Sequence, residues 1–404
     1  MSGEKSTINF GEFVALMAMM MSLTALSIDA MLPALTEIGL ELGVTRANDN
    51  QLIISTLFLG LAIGQLIYGP LSDNIGRKPA VYFGLSIFGV GCLISIFASN
   101  LTTMLVGRCL QGIGLSGPRI VSVAIIRDQF KGEKMAQVMS FVMAFFIIVP
   151  TIAPALGQGI LLVADWQAIF ATVLVLGVII FFWFSFRQPE TLAKENRIKF
   201  SAEKMISAVK EVCFNRISFG YTIAAGLISS AFIGFLNSAQ QIFQIQYGLA
   251  EQFPIYFAGI ALSVGTASFI NGKMVFRFGM RTMVKWASVG VSVLSVLFLG
   301  LMLGIIESPS LPLFMTYLCA TVFCVGILFG NLNSLAMEPL GHIAGIGAAI
   351  VGSLSTFISV PFGTFIGMSY DGTVFPLVAG FAFFGVLTAI VIWVSGKPMN
   401  KQIS

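Results

Sequence analysis

Charged residues, histidines and paired cysteines are all scarce in this sequence. Asp, Glu, Lys and Arg together make up 10% of the 404 residues, whereas 57% are hydrophobic. One soluble core cannot hide so large an apolar fraction, so lipid must solvate much of the chain. The scarcity of charge therefore excludes large soluble domains and predicts a membrane protein.

The single histidine, His342, argues against a metal centre and against histidine-based hydrolysis, because both need clustered partners. The five cysteines show no CxxC spacing, which disfavours a zinc site and a disulfide framework. The sequence contains no P-loop motif, so ATP use is not expected. An enzyme is therefore not expected, and no metal or cofactor is predicted.

Apolar runs of spanning length recur along the whole chain. A spanning helix needs about 20 mainly apolar residues to cross roughly 30 Å of hydrocarbon. The first run is longer than a signal-peptide core and is expected to be retained. Hydropathy and turn residues predict twelve spans, near residues 12–34, 51–71, 79–99, 102–124, 136–160, 166–186, 217–243, 253–274, 282–305, 311–336, 343–369 and 374–395.

Basic residues are distributed unequally between the predicted loops. If the N-terminus is cytoplasmic, nineteen of the 22 Lys and Arg residues fall on the cytoplasmic side, including Lys5, Lys397 and Lys401, and only Arg46 falls on the other. Basic residues near span ends stay in the cytoplasm. The asymmetry predicts an even number of spans, two cytoplasmic termini and a multi-pass protein of the bacterial inner (cytoplasmic) membrane. The net charge of +4 is thus a topology signal, and no nucleic-acid partner is expected.

One extended polar segment near the middle of the chain divides it in half. The predicted domains are an N-terminal six-helix bundle at 1–187, a cytoplasmic linker at 188–215 and a C-terminal six-helix bundle at 216–404.

Within the linker, Ile206, Val209 and Cys213 recur at helical spacing after Ser201, which is a suitable N-cap. This pattern favours a short amphipathic helix on the membrane surface. A solvated linker with no further role is the alternative interpretation.

The two halves also resemble each other. Gly69 and Gly76 bracket the loop after span two, and Gly272 and Gly279 bracket the loop after span eight with the same separation. Six spans per half keep both copies in one orientation, as in a parallel repeat. The predicted fold is an all-α membrane protein with twelve transmembrane helices in two pseudo-symmetric six-helix bundles.

The loop after span two carries the most specific motif, Gly69-Pro-Leu-Ser-Asp73-Asn-Ile-Gly76-Arg77-Lys78. It resembles the loop motif of the major facilitator superfamily, GxLaDrxGrk. The resemblance implies that glycine permits close helix approach and that Asp73, Arg77 and Arg127 form a charge cluster that latches the two halves. A basic loop with a helix-capping Asp73 is the alternative.

The copy in the second half keeps Gly272, Gly279 and Arg281 but has Phe276 in place of the aspartate. We therefore expect an asymmetric latch, controlled mainly by the first half. Glu338 and His342, at the predicted turn between spans ten and eleven, are interpreted as latch and turn residues.

Ionisable residues inside the predicted spans are few: Asp29 in span one, and Arg108 and Arg119 in span four. Such residues usually face a cavity or a partner, because an unpaired charge in the bilayer centre costs about 2.5 to 3.5 kcal/mol. Asp29 and Arg108 lie at similar depth, so we expect an ion pair that protonation of the carboxylate opens. A static, purely structural pair is the alternative.

Two further motifs support a coupling role. Asp29-Ala-Met-Leu-Pro33 resembles the first-span motif of Bcr/CflA-type multidrug resistance transporters, and Arg108-x-x-Gln111-Gly112-x-Gly114 resembles their fourth-span RxxQGxG motif. The resemblance implies that Asp29 and Arg108 couple proton entry to substrate release. Some relatives carry another acid where this chain has Met21, so a neutral, zwitterionic or anionic substrate becomes easier to accommodate.

Substrate contacts are predicted from polar and aromatic side chains inside the spans. Arg119 lies three turns from Arg108 on the same helix face and is suited to an anionic group, or alternatively to pairing with Glu338. The polar stripe of span seven and an aromatic pair in span five are further candidates, with interhelical packing as the alternative. The remaining predicted contact residues are Gln111, Asn237, Gln241, Gln244, Phe141 and Phe145.

Span five contains Pro150, Pro154, Gly157 and Gly159, which resemble the fifth-span motif of antiporters apart from its leading glycine. Proline and glycine bend a helix and let it pack closely, here against a neighbour in the other half. Ordinary Gly and Pro usage in membrane helices is the alternative.

Together these features predict a proton-coupled antiporter that exports small amphipathic molecules from the cytoplasm by alternating access. The expected partners are a small-molecule substrate, protons and membrane lipid, and the protein is expected to be a monomer. An importer or facilitator of a small metabolite on the same scaffold is the alternative, and a membrane-embedded enzyme is a third.

Overall fold

The computed structural model describes residues 8–198, 201–306 and 308–396. The basic residues Lys5, Lys199, Lys397 and Lys401, which the topology prediction uses, lie outside these ranges. The described chain forms fourteen α-helices: α1 (Phe10–Asp29), α2 (Leu35–Glu41), α3 (Leu52–Ile75), α4 (Arg77–Ile96), α5 (Leu101–Gln129), α6 (Gly132–Leu161), α7 (Gln167–Arg187), α8 (Ala202–Phe214), α9 (Arg216–Gln240), α10 (Phe253–Phe278), α11 (Met280–Gly304), α12 (Leu311–Met337), α13 (Ala344–Met368) and α14 (Phe375–Ser395).

Twelve of these helices match the predicted spans. In the described residues, eleven helical stretches are long and apolar enough to cross a membrane. The longest, Leu311–Met368, consists of α12 and α13 joined by the 3₁₀ turn Glu338–Ile343, so it contains two of the predicted spans. The all-α, twelve-span fold is therefore confirmed, and α2 and α8 are additional short helices.

Span one ends differently from the prediction. Helix α1 stops at Asp29, and the chain continues through a 3₁₀ turn, Leu32–Ala34, into α2. Pro33 lies in this turn, and its missing N–H removes one backbone hydrogen bond at the place where the helix is interrupted. Asp29 is consequently the last residue of its helix instead of an interior one.

Span seven also changes its geometry near its end. Helix α9 continues as a π-helical segment over Gln241–Gln246. Such segments are rare and occur frequently at functional sites. The α-helical spacing that the sequence argument assumed for Asn237, Gln241 and Gln244 is therefore broken at Gln241.

The chain packs as two compact units. The first comprises the described residues of Met1–Ala202 and Ala239–Leu262, and the second those of Glu203–Ser238 and Ser263–Ser404. The end of span seven and the start of span eight thus belong to the first unit, whereas the domain boundaries predicted from the sequence place both in the C-terminal bundle.

Candidate functional site

Arg108 on α5 is the centre of a buried polar site in the first unit. Its side chain is inaccessible to solvent. Nε donates to the Ile53 carbonyl (3.1 Å) and Nη1 donates to the Ser27 carbonyl (3.1 Å) and to Gln111 Oε1 (2.7 Å). The guanidinium lies 5.7 Å from the centroid of the Phe170 ring. Arg108 therefore joins α5 to the backbones of α1 and α3.

Gln111 holds Arg108 in this position. Its Nε2 donates to the Gly91 carbonyl (3.2 Å) and to Ser95 Oγ (2.9 Å) on α4, while its Oε1 accepts from Arg108. Both ends of the amide are thus engaged, and the side chain is buried. Gln111 acts as a positioning residue in this conformation, and its contact with a substrate stays a prediction.

The glycines of the same motif bring the neighbouring helices close to α5. A Cβ atom on Gly112 would meet the backbone of α3 at Leu57, and a Cβ atom on Gly114 would meet the backbone of α4 at Phe88. Only glycine permits both approaches. The close packing explains how α3 can present a backbone carbonyl to Arg108.

The expected ion pair between Asp29 and Arg108 is absent from this conformation. Asp29 is buried and has no hydrogen bond or ion pair to any described residue. Arg108 instead uses the carbonyl of Ser27, two residues before Asp29, and its Nη2 has no partner among the described residues. In this conformation the backbone carbonyls of Ile53 and Ser27 occupy the guanidinium instead of the carboxylate.

Arg119 follows Arg108 on α5 by three helical turns. It is half-buried, and within the described part of the first unit no residue forms an ion pair with it. The alternative partner considered from the sequence, Glu338, pairs instead with Arg281 (3.0 Å) in the second unit. The substrate-binding role of Arg119 stays a prediction.

The loop after span two forms a dense charge cluster. Arg77 is buried and donates to Asp73 (2.5 Å), Ser72 Oγ (2.8 Å) and Asp128 (2.9 Å). The predicted third member, Arg127, is exposed, and its neighbour Asp128 takes the place in the cluster. A buried guanidinium is stabilised by a second carboxylate and destabilised by a second cation. This charge rule favours Asp128 over Arg127 as the third member, and the sequence interpretation did not apply it.

The segment after α7 is attached to the same loop. The carboxylate of Glu190 accepts from the backbone N–H groups of Arg77 (3.0 Å) and Lys78 (3.1 Å), and so caps α4. The N–H of Ile198 donates to the Asp73 carbonyl (2.9 Å). Sequence reasoning missed this attachment, because Glu190 lies 113 residues from Arg77.

Gly69 and Gly76 have different roles in this loop. The Gly69 carbonyl accepts from Ser72 Oγ (3.0 Å) within α3. Gly76 has a φ of +107°, a conformation that L-residues rarely adopt, and it separates α3 from α4. The corresponding Gly279 also has a positive φ, of +77°.

The polar residues of span seven contact protein groups. Asn237 is buried and donates to the Gly363 carbonyl on α13 (3.2 Å). Gln241 donates to Asn48 Oδ1 (2.8 Å), and Gln244 accepts from Gln240 (2.8 Å) and donates weakly to the Pro33 carbonyl (3.5 Å). These contacts match the alternative of interhelical packing, and the substrate-binding roles stay predictions.

Span five departs from one expectation. Helix α6 continues through Pro150 and Pro154. A Cβ atom on Gly157 would meet the carbonyl of Ala30, so this glycine faces the end of span one in its own half, not the other half. A Cβ atom on Gly159 would meet nothing within 4 Å. The close approach fixes the segment that follows Asp29.

The aromatic candidates lie on the same helix. Phe141 and Phe145 are both about half exposed, and Phe141 packs edge-to-face on Phe10 of α1 with ring centroids 6.4 Å apart. Their part in a substrate site stays a prediction.

Comparisons with known proteins point to one family of transporters. The chain is 28% identical over 383 residues to YdgK, an uncharacterized MFS-type transporter of Bacillus subtilis, and the match covers 92% of this chain and 94% of that protein. It is 26% identical over 381 residues to the bicyclomycin resistance protein homolog of Haemophilus influenzae, with 93% of each chain covered. It is 29% identical over 331 residues to the multidrug resistance protein MdtL of Salmonella paratyphi C, with 80% of each covered.

The fold is similar to that of the xylose transporter XylE from E. coli, with a TM-score of 0.72 at 13% identity, covering 97% of this chain and 98% of that one. A sequence profile described as Major Facilitator Superfamily matches residues 10–364. The named relatives confirm the resemblance to Bcr/CflA-type transporters, and a transporter, not an enzyme, is the class that fits. The chain belongs to the Major Facilitator Superfamily.

Proposed function

We propose that this transporter is a proton-coupled antiporter of the bacterial inner membrane, which exports small amphipathic molecules by alternating access. Its relatives include proteins named for bicyclomycin and multidrug resistance, which supports drug-like substrates. The proposed working form is a monomer with two cytoplasmic termini, in which the linker at 188–215 joins the bundles at 1–187 and 216–404 and the two bundles rock to give alternating access.

The observation that carries the proposal is the relation between Asp29 and Arg108. The buried carboxylate has no partner among the described residues, while the guanidinium is anchored two residues away, on the Ser27 carbonyl. An ionised carboxylate buried without a partner costs several kcal/mol, and a proton removes that cost. The conformation of the end of α1 and the protonation of Asp29 are therefore linked.

The linkage between the protonation of Asp29 and the conformation of the end of α1 can drive a transport cycle. Loss of the proton leaves an ionised Asp29, which favours a conformation in which the end of α1 brings the carboxylate to Arg108 Nη2. Uptake of a proton favours the present arrangement, in which Arg108 is bonded to backbone carbonyls. A proton that crosses 100 mV supplies about 2.3 kcal/mol, which supports a substrate gradient of roughly fortyfold.

Substitution of Asp29 by Asn tests the coupling. In inside-out vesicles with an imposed pH gradient, addition of a transported antibiotic should dissipate the gradient with the wild-type protein. We expect Asp29→Asn to reduce this dissipation to the level of vesicles without the transporter, because Asn cannot bind the proton. Asp371→Asn, in an exposed loop, is the matched control and should transport normally.

The protein amount and its elution as a single folded species should be the same for both variants. Wild-type transport by Asp29→Asn at every pH would remove Asp29 from the mechanism. Substrate accumulation driven in the opposite direction would identify an importer instead of an exporter.

Arg119 is proposed to bind an anionic group of the substrate. Its half-buried guanidinium has no ion pair in the described first unit, and guanidinium groups bind carboxylates and phosphates in two-point contacts. In cells that overproduce the protein, Arg119→Ala should lower resistance to anionic and zwitterionic antibiotics about tenfold while resistance to neutral ones is retained. Equal loss for every compound would indicate a structural role.

A further inference from the structure

Ser95 on α4 carries a fully buried hydroxyl group and belongs to none of the sequence motifs. Its Oγ accepts a hydrogen bond from Gln111 Nε2 (2.9 Å), and the Gly91 carbonyl, one turn earlier on α4, accepts from the same nitrogen (3.2 Å). Gln111 Oε1 in turn accepts from Arg108 Nη1 (2.7 Å). Ser95, Gln111 and Arg108 therefore form one buried chain of hydrogen bonds, the Ser95 relay.

Two glycines bring the helices close enough for this relay to form. A Cβ atom on Gly91 of α4 would meet the backbone of Gln111 and Gly107, and one on Gly107 of α5 would meet Ser95 and the Gly91 carbonyl. Residues four apart share a helix face, so Gly91 and Ser95 on α4 face Gly107 and Gln111 on α5. The short serine side chain can therefore reach a glutamine on the next helix.

The contacts of the Gln111 amide permit only one orientation. A backbone carbonyl only accepts hydrogen bonds and a guanidinium only donates them, so the NH₂ end must face Gly91 and the oxygen must face Arg108. The NH₂ group has two hydrogens, and Gly91 and Ser95 provide one acceptor for each. Ser95 thus completes the contacts that hold the amide oxygen on Arg108.

The oriented amide matters because Arg108 has no carboxylate partner in this conformation. Its acceptors among the described residues are two backbone carbonyls and the Gln111 oxygen. When Asp29 is ionised and pairs with Arg108, as in the proposed cycle, the carboxylate provides further acceptors. Loss of the Gln111 oxygen is therefore more costly in the proton-loaded state than in the paired state.

We infer that Ser95 is a positioning residue for proton coupling: by orienting Gln111, it gives Arg108 a neutral acceptor in place of Asp29 and so favours the proton-loaded state. The inference rests on the proposed coupling role of Asp29 and Arg108. A weakened relay destabilises the proton-loaded state, so Asp29 should then release its proton at a lower pH.

Other ionisable groups on the elements packed against α1 are not part of the relay. Cys92, a buried thiol on α4, lies close to Arg108. The remaining groups are exposed near the end of α1 or lie elsewhere along the helices. They are Glu37 and Glu41 on α2, Asp165 before α7, Cys109, Arg119, Arg127 and Asp128 on α5, and Glu12, Glu133, Lys134 and Arg187 at the far ends of α1, α6 and α7.

The infrared absorption of the protonated Asp29 carboxyl group tests the inference without a substrate. The full-length protein is reconstituted in lipid, and the C=O band that Asp29→Asn removes is followed as the pH is raised. Gln111→Leu should lower the pH at which half of the band is lost by about one unit, since a hydrogen bond to a charged group changes proton affinity about tenfold. Ser95→Ala should lower it by about half a unit, because the Gly91 carbonyl still holds the amide.

Ser116→Ala is the matched control. Ser116 is an equally buried serine on α5, whose hydroxyl donates to the carbonyls of Leu61 and Gly112 (both 3.1 Å) outside the relay. This variant should titrate like the wild type. Ser95→Cys, whose thiol is a weak acceptor of nearly the same size, is a second test of the position and should shift the titration in the same direction as Ser95→Ala.

The double variant tests whether Ser95 acts through Gln111. Ser95→Ala combined with Gln111→Leu should titrate like Gln111→Leu alone, because residues of one relay are not additive. An unchanged or higher titration pH in Ser95→Ala, a shift of equal size in Ser116→Ala, or additive shifts in the double variant would overturn the inference while the proposed antiport stands. If the Asp29 band did not titrate in the wild type, the proposed role of Asp29 would fail, and this inference with it.

Discussion

The loops at Gly76 and Gly279 occupy corresponding places in the two halves, yet they are held in different ways. At Gly76, a buried arginine contacts two aspartates, and Glu190 from a distant segment caps the following helix. At Gly279, a single ion pair joins Arg281 to Glu338, and the two side chains are 49% and 50% exposed. Phe276, in place of the missing aspartate, is 92% exposed.

This difference indicates that the loop at Gly76 is the more rigid of the two and that the loop at Gly279 opens more easily. A buried guanidinium fixed by several acceptors leaves uncompensated carboxylates when it moves, which costs several kcal/mol. An exposed ion pair contributes about 0 to 1 kcal/mol, because water replaces the lost contact. The first loop is therefore expected to hold its shape through the transport cycle, and the second can separate at little cost.

The largest expected difference in the free energy of unfolding is between the alanine variants of Arg77 and Arg281. Arg77→Ala removes the donor shared by Asp73, Ser72 and Asp128, and should lower the free energy of unfolding by about 2 to 4 kcal/mol. Arg281→Ala should lower it by less than about 1 kcal/mol. Thermal unfolding of both variants in the same detergent provides the comparison. Similar losses would show that the two loops are equally well held.

A smaller contrast is expected between the two glycines. Gly76 has φ +107° and ψ 162°, and Gly279 has φ +77° and ψ 152°. Only glycine adopts these conformations readily, so substitution by alanine should lower the free energy of unfolding by about 1 to 3 kcal/mol at either position. A Cβ atom at Gly76 would also meet Glu190 and Arg197, whereas one at Gly279 would meet nothing within 4 Å.

Gly76→Ala should therefore be the more destabilising of the two by about 1 kcal/mol, the typical contribution of a helix cap. Glu190→Ala in both backgrounds checks the cause, because the extra cost at Gly76 should shrink once the capping side chain that the Cβ atom would meet is gone. A larger loss from Gly279→Ala would mean that an unrecognised contact holds the second loop.

The sequence was sufficient for features that depend on local patterns. Apolar runs and loop charges predict the twelve spans, and the resemblance of the 69–78 loop to the superfamily motif implies the contact between Asp73 and Arg77 that the structure contains. Asp128 and Glu190 were missed because they reach Arg77 from 51 and 113 residues away, and only tertiary packing brings them there.

The coupling site shows a second kind of limit. Counting residues predicted that Asp29 and Arg108 lie at one depth, and Arg108 does contact the backbone two residues from Asp29. The direction of each side chain was not predictable, because backbone carbonyls compete with the carboxylate for the guanidinium. Likewise, no sequence pattern indicated the π-helical segment that begins at Gln241.

The smallest expected effect concerns the exposed pair itself. In a double-mutant cycle, Arg281→Ala and Glu338→Ala should couple by about 0.5 kcal/mol, and the coupling should fall further when salt is raised, because exposed charges are screened.

Phe276→Asp places in the second loop the acid that the first loop has at Asp73. It should raise the free energy of unfolding by a few tenths of a kcal/mol at most, and only while Arg281 is present. The same cycle on Arg77 and Asp128 provides the matched comparison, with an expected coupling of more than about 1.5 kcal/mol that salt hardly changes. If Arg281 and Glu338 coupled as strongly as Arg77 and Asp128, exposure would not be what distinguishes the loops, and the expected ease of opening at Gly279 would have no physical basis.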